Sequence, residues 1–181
     1  MIEDNPADAH LMMVLLEVSG ADHFKVEKVV RLCEGLERIA EGGVDVVLLD
    51  LELPDSIGLE TFTRLKAEAP EMPVVVLTGL EDETVAQEAV KLGAQDYLPK
   101  SEMSGSFLVR SLLFALERSR MLRQLVDARA EVERLRAMLP LCGDCYRVRD
   151  DGAYFARVRS YMEQCSDAST GRCETCEGAD D

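Results

Sequence analysis

The chain has 181 residues, of which 47% are hydrophobic, and a formal net charge of −15. That length supports one main core with a small appendage, and the acidic balance excludes a general phosphate-backbone binder, whose affinity is built from Lys and Arg contacts, so DNA is not expected as a partner. No apolar run approaches the roughly 20 residues that cross a bilayer, and the acidic start lacks the basic-then-apolar order of a signal peptide; a cytoplasmic chain without membrane contact is expected.

In chain order, the first polar feature is Glu3-Asp4-Asn5-Pro6, two carboxylates at a turn with only Met1 and Ile2 before them. From Ala7 to Ser19, Leu11, Val14, Leu15 and Val18 recur at helical spacing, and Gly20 stops the helix. "HFKVEKVV" then alternates as a half-buried strand does. "RLCEGLERIAEGG" is helical, with Cys33 read as a small core residue. "VDVVLLDL" is a continuous branched apolar run, the pattern of a strand covered on both faces. A helix at "GLETFTRLKAEAP", a strand at "PVVVLTG", a helix at "DETVAQEAVKLG" and a short strand at "AQDYLPK" continue the alternation. Alternating strands and helices with short links predict a parallel sheet whose site lies at the carboxyl ends of its strands.

From about Ser106 to Leu139 no helix breaker occurs, which allows one helix about 50 Å long. Phe107, Leu108 and Leu112 suit packing on the sheet. Beyond them Met121, Leu125, Ala128, Val132, Leu135 and Leu139 recur at steps of four and three, an a/d seam that reads as a short homodimeric coiled coil or as a solvated connector. Pro140 ends the helix. The remaining 140–181 segment is polar, cysteine-rich and too small for a large core.

Four polar features fall where strands end: Glu3/Asp4, Asp50, Thr78 and Lys100. A parallel sheet places them on one edge. Three carboxylates there repel one another unless a cation joins them, and hard oxygen ligands suit Mg²⁺. A carboxylate nucleophile, a magnesium ion, a lysine and a hydroxyl are the parts needed to accept a phosphoryl group. Asp50 supplies the attacking oxygen, Lys100 neutralises phosphoryl oxygens and Thr78 donates a hydrogen bond.

The motifs "EDNPAD", "VDVVLLDLELPDSIGLE", "PVVVLTG" and "GAQDYLPK", in this order, closely resemble the receiver domain of bacterial two-component response regulators, over roughly residues 1–118. The resemblance implies a doubly wound five-stranded parallel sheet in the order 2-1-3-4-5. It implies that Asp50 accepts phosphate from a histidine kinase or phosphotransfer protein. It makes Glu3 and Asp4 magnesium-site acids, with Glu52 contributing its backbone carbonyl, and Thr78 and Lys100 phosphoryl contacts. Tyr97 matches the family's switch aromatic, turning inward as Thr78 moves, although a tyrosine there also suits a plain core position. Such a protein is a phosphoacceptor with weak self-phosphorylation and autodephosphorylation, not a metabolic enzyme. Gly79 follows the threonine and loosens its loop; Leu80 cannot orient an attacking water, so slow acyl phosphate hydrolysis is expected.

Cys142-Gly-Asp-Cys145 and Cys173-Glu-Thr-Cys176 each place two thiolates within reach of one tetrahedral ion, the pattern of a structural Zn²⁺ site. The 27 residues between the pairs exceed the common spacing, and free or redox-active thiols are the other reading. "LPLCGDCYRVRDDGAYFARVRSY" also resembles a short cysteine motif at the C-terminus of some bacterial sensor and receiver proteins, in which the second pair is usually Cys-Pro-x-Cys. His10 and His23 lack the surroundings of a kinase phosphohistidine, and no Gly-rich nucleotide loop occurs.

Three segments are therefore expected: a receiver at 1–118, a helical, dimer-forming linker at 119–139 and a zinc-stapled module at 140–181. Output is expected through contact with a downstream protein. The alternative is a zinc- or redox-sensing interaction module on a receiver-like scaffold. With only Met1 and Ile2 before the acids, the first strand is a stub, and the reading is that the natural chain starts several residues upstream.

Overall fold

The computed structural model describes residues 1–21, 24–79, 83–138, 156, 160 and 161. Its elements are α1 (Pro6–Val18), α2 (Leu32–Ala40), β1 (Val47–Asp50), β2 (Glu52–Leu53), β3 (Ser56–Ile57), α3 (Leu59–Glu68), β4 (Val74–Thr78), α4 (Glu83–Lys91), β5 (Asp96–Pro99), a 3-10 turn at Lys100–Glu102, and α5 (Gly105–Met138). The chain divides into two units, Met1–Gln124 and Leu125–Asp181.

In the first unit, β1, β4 and β5 form a parallel sheet in that order. Val47–Asp50 lie opposite Val74–Leu77, and Val75–Thr78 opposite Asp96–Pro99. Every residue of β1 and β4 is buried, because helices cover both faces. Strand alternation sorts the side chains. Leu49, Val74 and Val76 join Leu32 of α2 and Phe62 and Leu65 of α3, while Leu48, Val75 and Leu77 join Met12 and Leu16 of α1 and Leu108 and Leu112 of α5.

Two sequence expectations shrink to single bridges. Ile2 pairs in parallel with both Val29 and Leu49, so the first strand and "HFKVEKVV" contribute one rung each rather than full strands. Ile2 N–H donates to Leu48 O at 2.9 Å and Glu3 N–H to Val29 O at 3.0 Å. The Met1 amine donates to Glu27 O at 2.7 Å and Val29 N–H donates to Met1 O at 3.0 Å, continuing the contact beside the bridge. A cavity of about 720 Å³ lies alongside, lined by Phe24, Val26, Val46, Leu48, Leu112 and Leu116 among others. Of the five-strand order, the structure thus carries three strands and the two bridges.

The face buried by α1 also differs from the expected one. Ala9, Met12 and Leu16 are buried, while Leu11, Val14 and Val18 are exposed. Because "LMMVLLEV" is apolar nearly all round, its periodicity selects no face. Cys33 is likewise exposed rather than a core residue, the sulfur standing at the start of α2. The β2–β3 hairpin, with Glu52 opposite Ile57, was not anticipated.

Among the described residues no helix is long and apolar enough to cross a membrane. On α5, Met121 in the first unit is exposed, as are Leu125, Val132 and Leu135 in the second. Leu139, Leu80 and the cysteines Cys142, Cys145, Cys173 and Cys176 lie outside the described residues.

Candidate functional site

The register of the sheet brings the polar strand ends together. Asp50 lies opposite Leu77, so Thr78 is one step further out, and Thr78 in turn lies opposite Pro99, the residue before Lys100. The bridge between Ile2 and Leu49 places Glu3 beside Asp50. Glu3, Asp4 and Asp50 each offer a carboxylate oxygen within 4.8 Å of the others; Glu3 and Asp50 are buried and Asp4 is exposed. The turn after them is fixed by its own residues. Asn5 N–H donates to Glu3 Oε1 at 3.0 Å, Asn5 Oδ1 accepts from Ala7 N–H at 2.9 Å, and Pro6 opens α1.

Lys100 reaches into this cluster. Its Nζ donates to Asp50 Oδ2 at 2.8 Å and to Asp8 Oδ2 at 3.1 Å. It also stands 2.8 Å from Glu3 Oε2, a charge contact outside hydrogen-bond geometry, for that oxygen has no hydrogen-bond partner. Burial alone would lower the Lys100 pKa. Contacts with Asp50, Glu3 and Asp8 outweigh it and hold the ammonium above its ordinary value. Glu3 moves the other way for a carboxyl: burial pushes it up to about 7, Lys100 pulls against that, and the Asp50 charge adds to it.

The loop after Asp50 is tied down at several points. Glu52 N–H donates to Asp50 Oδ1 at 3.1 Å. Leu51 O accepts from Gly58 N–H at 2.8 Å and from the buried Thr61 hydroxyl at 3.1 Å. Asp55 crosses to α2, where its two oxygens accept from Leu32 N–H at 2.9 Å and Cys33 N–H at 3.0 Å.

Of the sequence-predicted residues, the structure brings Glu3, Asp4, Asp50 and Lys100 together. It places buried Thr78 on the same edge and the Glu52 amide against Asp50. Tyr97, half-buried on β5, packs against the cluster of Leu49 and Val76. Sequence reasoning missed Asp8, Thr61 and Asp55. Asp8 follows the acidic pair by one helical turn, and that spacing is the one signal that could have found it.

Three carboxylates with converging oxygens are a donor set for a hard divalent cation. The set fits Mg²⁺.

A family model described as the response regulator receiver domain matches residues 1–110. The transcriptional regulatory protein FixJ of Azorhizobium caulinodans is 30% identical over 132 residues, covering 73% of this chain and 61% of that protein. The uncharacterized transcriptional regulatory protein YkoG of Bacillus subtilis is 34% identical over 100 residues, 55% of this chain and 42% of that one. The chain therefore spans less than two thirds of the length of these relatives. A crystal structure of a response regulator receiver domain protein from Clostridium thermocellum superposes with a TM-score of 0.59 at 30% identity, covering 67% of this chain and 94% of that one.

Proposed function

This chain belongs to the response regulator receiver domain family, and from that membership we propose that Asp50 is its phosphoacceptor, charged by a phosphohistidine of a histidine kinase or phosphotransfer protein. A receiver is a signalling domain rather than a classical enzyme. The observation that carries the residue assignment is the hydrogen bond from Lys100 Nζ to Asp50 Oδ2 at 2.8 Å within a buried acidic cluster. Such a convergence has little structural benefit of its own.

In the step itself, one Asp50 oxygen attacks phosphorus. An O–P bond forms, the N–P bond of phosphohistidine breaks, and its electron pair stays on the leaving imidazole nitrogen, which takes up a proton. Lys100 turns an N–H from the Asp50 carboxylate to the arriving phosphoryl oxygens, and the Thr78 hydroxyl donates to them. Mg²⁺, held by Glu3, Asp4, Asp50 and the Glu52 carbonyl, supplies charge neutralisation when bound. Tyr97, on the strand that ends just before Lys100, is the switch residue that relays Thr78's movement.

A five-strand order 2-1-3-4-5 is the reading of the two bridges at Ile2 together with the three strands. The stripe Met121, Leu125, Val132 and Leu135 supports a homodimer through 119–139; Leu125→Lys shifting a dimer to monomer in light scattering tests it. The names of the relatives as transcriptional regulators describe those proteins. For this chain output is through contact with a downstream protein, supported by the −15 charge, and Cys142, Cys145, Cys173 and Cys176 hold zinc, which metal analysis tests. The family match does not favour the zinc- or redox-sensor alternative.

Acetyl phosphate with Mg²⁺ should add one phosphoryl group by intact mass, and Asp50→Asn should abolish it. Labelling that survives Asp50→Asn would sink the assignment.

A further inference from the structure

We infer that Asp8 is a positioning residue for Lys100, anchoring the ammonium so that one of its N–H groups points at Asp50, an inference resting on the phosphoacceptor reading of Asp50. An ammonium has three N–H donors. Three carboxylates surround Lys100 Nζ, and they are not equivalent.

Asp50 Oδ2 belongs to the reacting group. Glu3 lies at 2.8 Å but outside hydrogen-bond geometry, and its oxygens belong to the metal-competent cluster with Asp4 and Asp50. Asp8 is outside that cluster and accepts a hydrogen bond from Nζ at 3.1 Å. It is the one partner of the lysine that neither reacts nor is needed for a metal.

Asp8 has a second partner of its own. It sits in the first turn of α1, and its Oδ2 also accepts from Asn5 Nδ2 at 3.1 Å. Asn5 in turn caps Ala7, and Ala9, Met12 and Leu16 seat the helix in the core. Lys100, by contrast, reaches the site on a long stem from a 3-10 turn. A carboxylate carried on the first turn of a helix is thus set against a cation on a long stem, an arrangement that suits aiming.

The bland account is an acid near the positive end of a helix. It explains a carboxylate in the first turn. It does not require hydrogen-bond distance to a lysine 92 residues away.

The test is Asp8→Ala, with Asp8→Asn as the conservative variant whose amide oxygen still accepts from Lys100. Phosphorylation of the full chain by acetyl phosphate and Mg²⁺ is followed by intact mass. Asp8→Ala should lower the maximal rate about tenfold with half-saturation by the donor little changed, the signature of lost orientation. Asp8→Asn should restore most of the rate. In a Lys100→Met background Asp8→Ala should cause no further loss. Independently of turnover, the Lys100 ammonium signal in heteronuclear NMR should be retained in Asp8→Asn and broadened in Asp8→Ala.

Unchanged or faster labelling of the Asp8→Ala protein would overturn the inference. So would a loss that persists in Lys100→Met, or one that excess Mg²⁺ repairs, which would make Asp8 a metal ligand. Failure of wild type to label, or equal labelling of Asp50→Asn, would overturn the phosphoacceptor reading and this inference with it.

Discussion

Lys100 Nζ and Asp50 Oδ2 stand 2.8 Å apart across the carboxyl edge of the sheet, a pair 50 positions apart in the sequence. The lysine is the only cation contacting the buried Glu3 and Asp50 among the described residues. Removing one partner of a buried pair leaves uncompensated charge, at a cost of about 3 kcal/mol. Lys100→Met should therefore lower the urea midpoint substantially as well as slow phosphoryl transfer. The loss should be larger at pH 8 than at pH 6, because Glu3 escapes its charge by protonating at the lower pH. An equal loss at both would contradict the pairing.

Glu3 leads to a second, pH-dependent expectation. Burial pushes its pKa from the ordinary 4.5 up to about 7. Its contribution to stability is present below the unfolded value and is lost as pH rises through 7. The Met1 amine works in the opposite sense: burial depresses it from 8.0 to about 6, so its effect improves stability as pH rises from 6 to 8. Because the two oppose each other in a melting curve, Mg²⁺ binding is the cleaner readout. Mg²⁺ must displace the Glu3 proton, so apparent affinity should fall by about tenfold per unit below pH 7 and flatten above 8. Calorimetric titrations giving one affinity from pH 6 to 8 would contradict the assignment of Glu3 as a ligand.

Glu3, Asp50 and Lys100 are residues that the sequence alone singles out. "VVLLD" and "VVVLT" read as strands because a branched apolar run needs cover on both faces, and the polar residue closing each run then falls at the sheet edge. What stayed hidden had partners far along the chain. Asp8 looks like any first-turn acid until Lys100 is placed, and Asp55 like any turn aspartate until Leu32 and Cys33 arrive, 23 and 22 residues away. "HFKVEKVV" misled in the other direction. Its alternation suits a strand, but among the described residues it contributes a single rung, Val29 against Ile2.

Asp55 supports a third prediction. As a side-chain cap donated from the hairpin region, it satisfies two amides at the start of α2. Burial would raise its pKa, but the Cys33 and Leu32 amides outweigh that and hold it low. Asp55→Ala should cost about 1 to 2 kcal/mol, seen as a lower melting temperature. The Cys33 thiol supplies an independent signal. Its hydrogen bond with Asp55 raises its pKa, so the variant should carry more thiolate and alkylate faster at Cys33 by peptide mapping. Slower alkylation would show that the carboxylate does not govern that thiol.

Gly35 carries the last prediction, because it lies where α2 meets the residue that delivers Glu3 to the site. A Cβ at Gly35 would fall 2.2 Å from Ile2 Cδ1 and 2.9 Å from Ile2 Cγ1, and Ile2 is buried between its two bridges. In an unhindered helix, Gly→Ala gains about 1 kcal/mol, whereas overpacking a core costs about 1 to 3 kcal/mol. The clash should win. Gly35→Ala is expected to destabilise the fold by about 1 kcal/mol net and to weaken Mg²⁺ binding, since displacing Ile2 shifts the adjoining Glu3. In an Ile2→Ala background the obstruction is gone, and the same substitution should become stabilising by the helix-propensity gain. Urea denaturation of the four proteins in this cycle measures the coupling directly. A Gly35→Ala protein more stable than wild type would mean that Ile2 moves aside freely and does not fix the acidic pair.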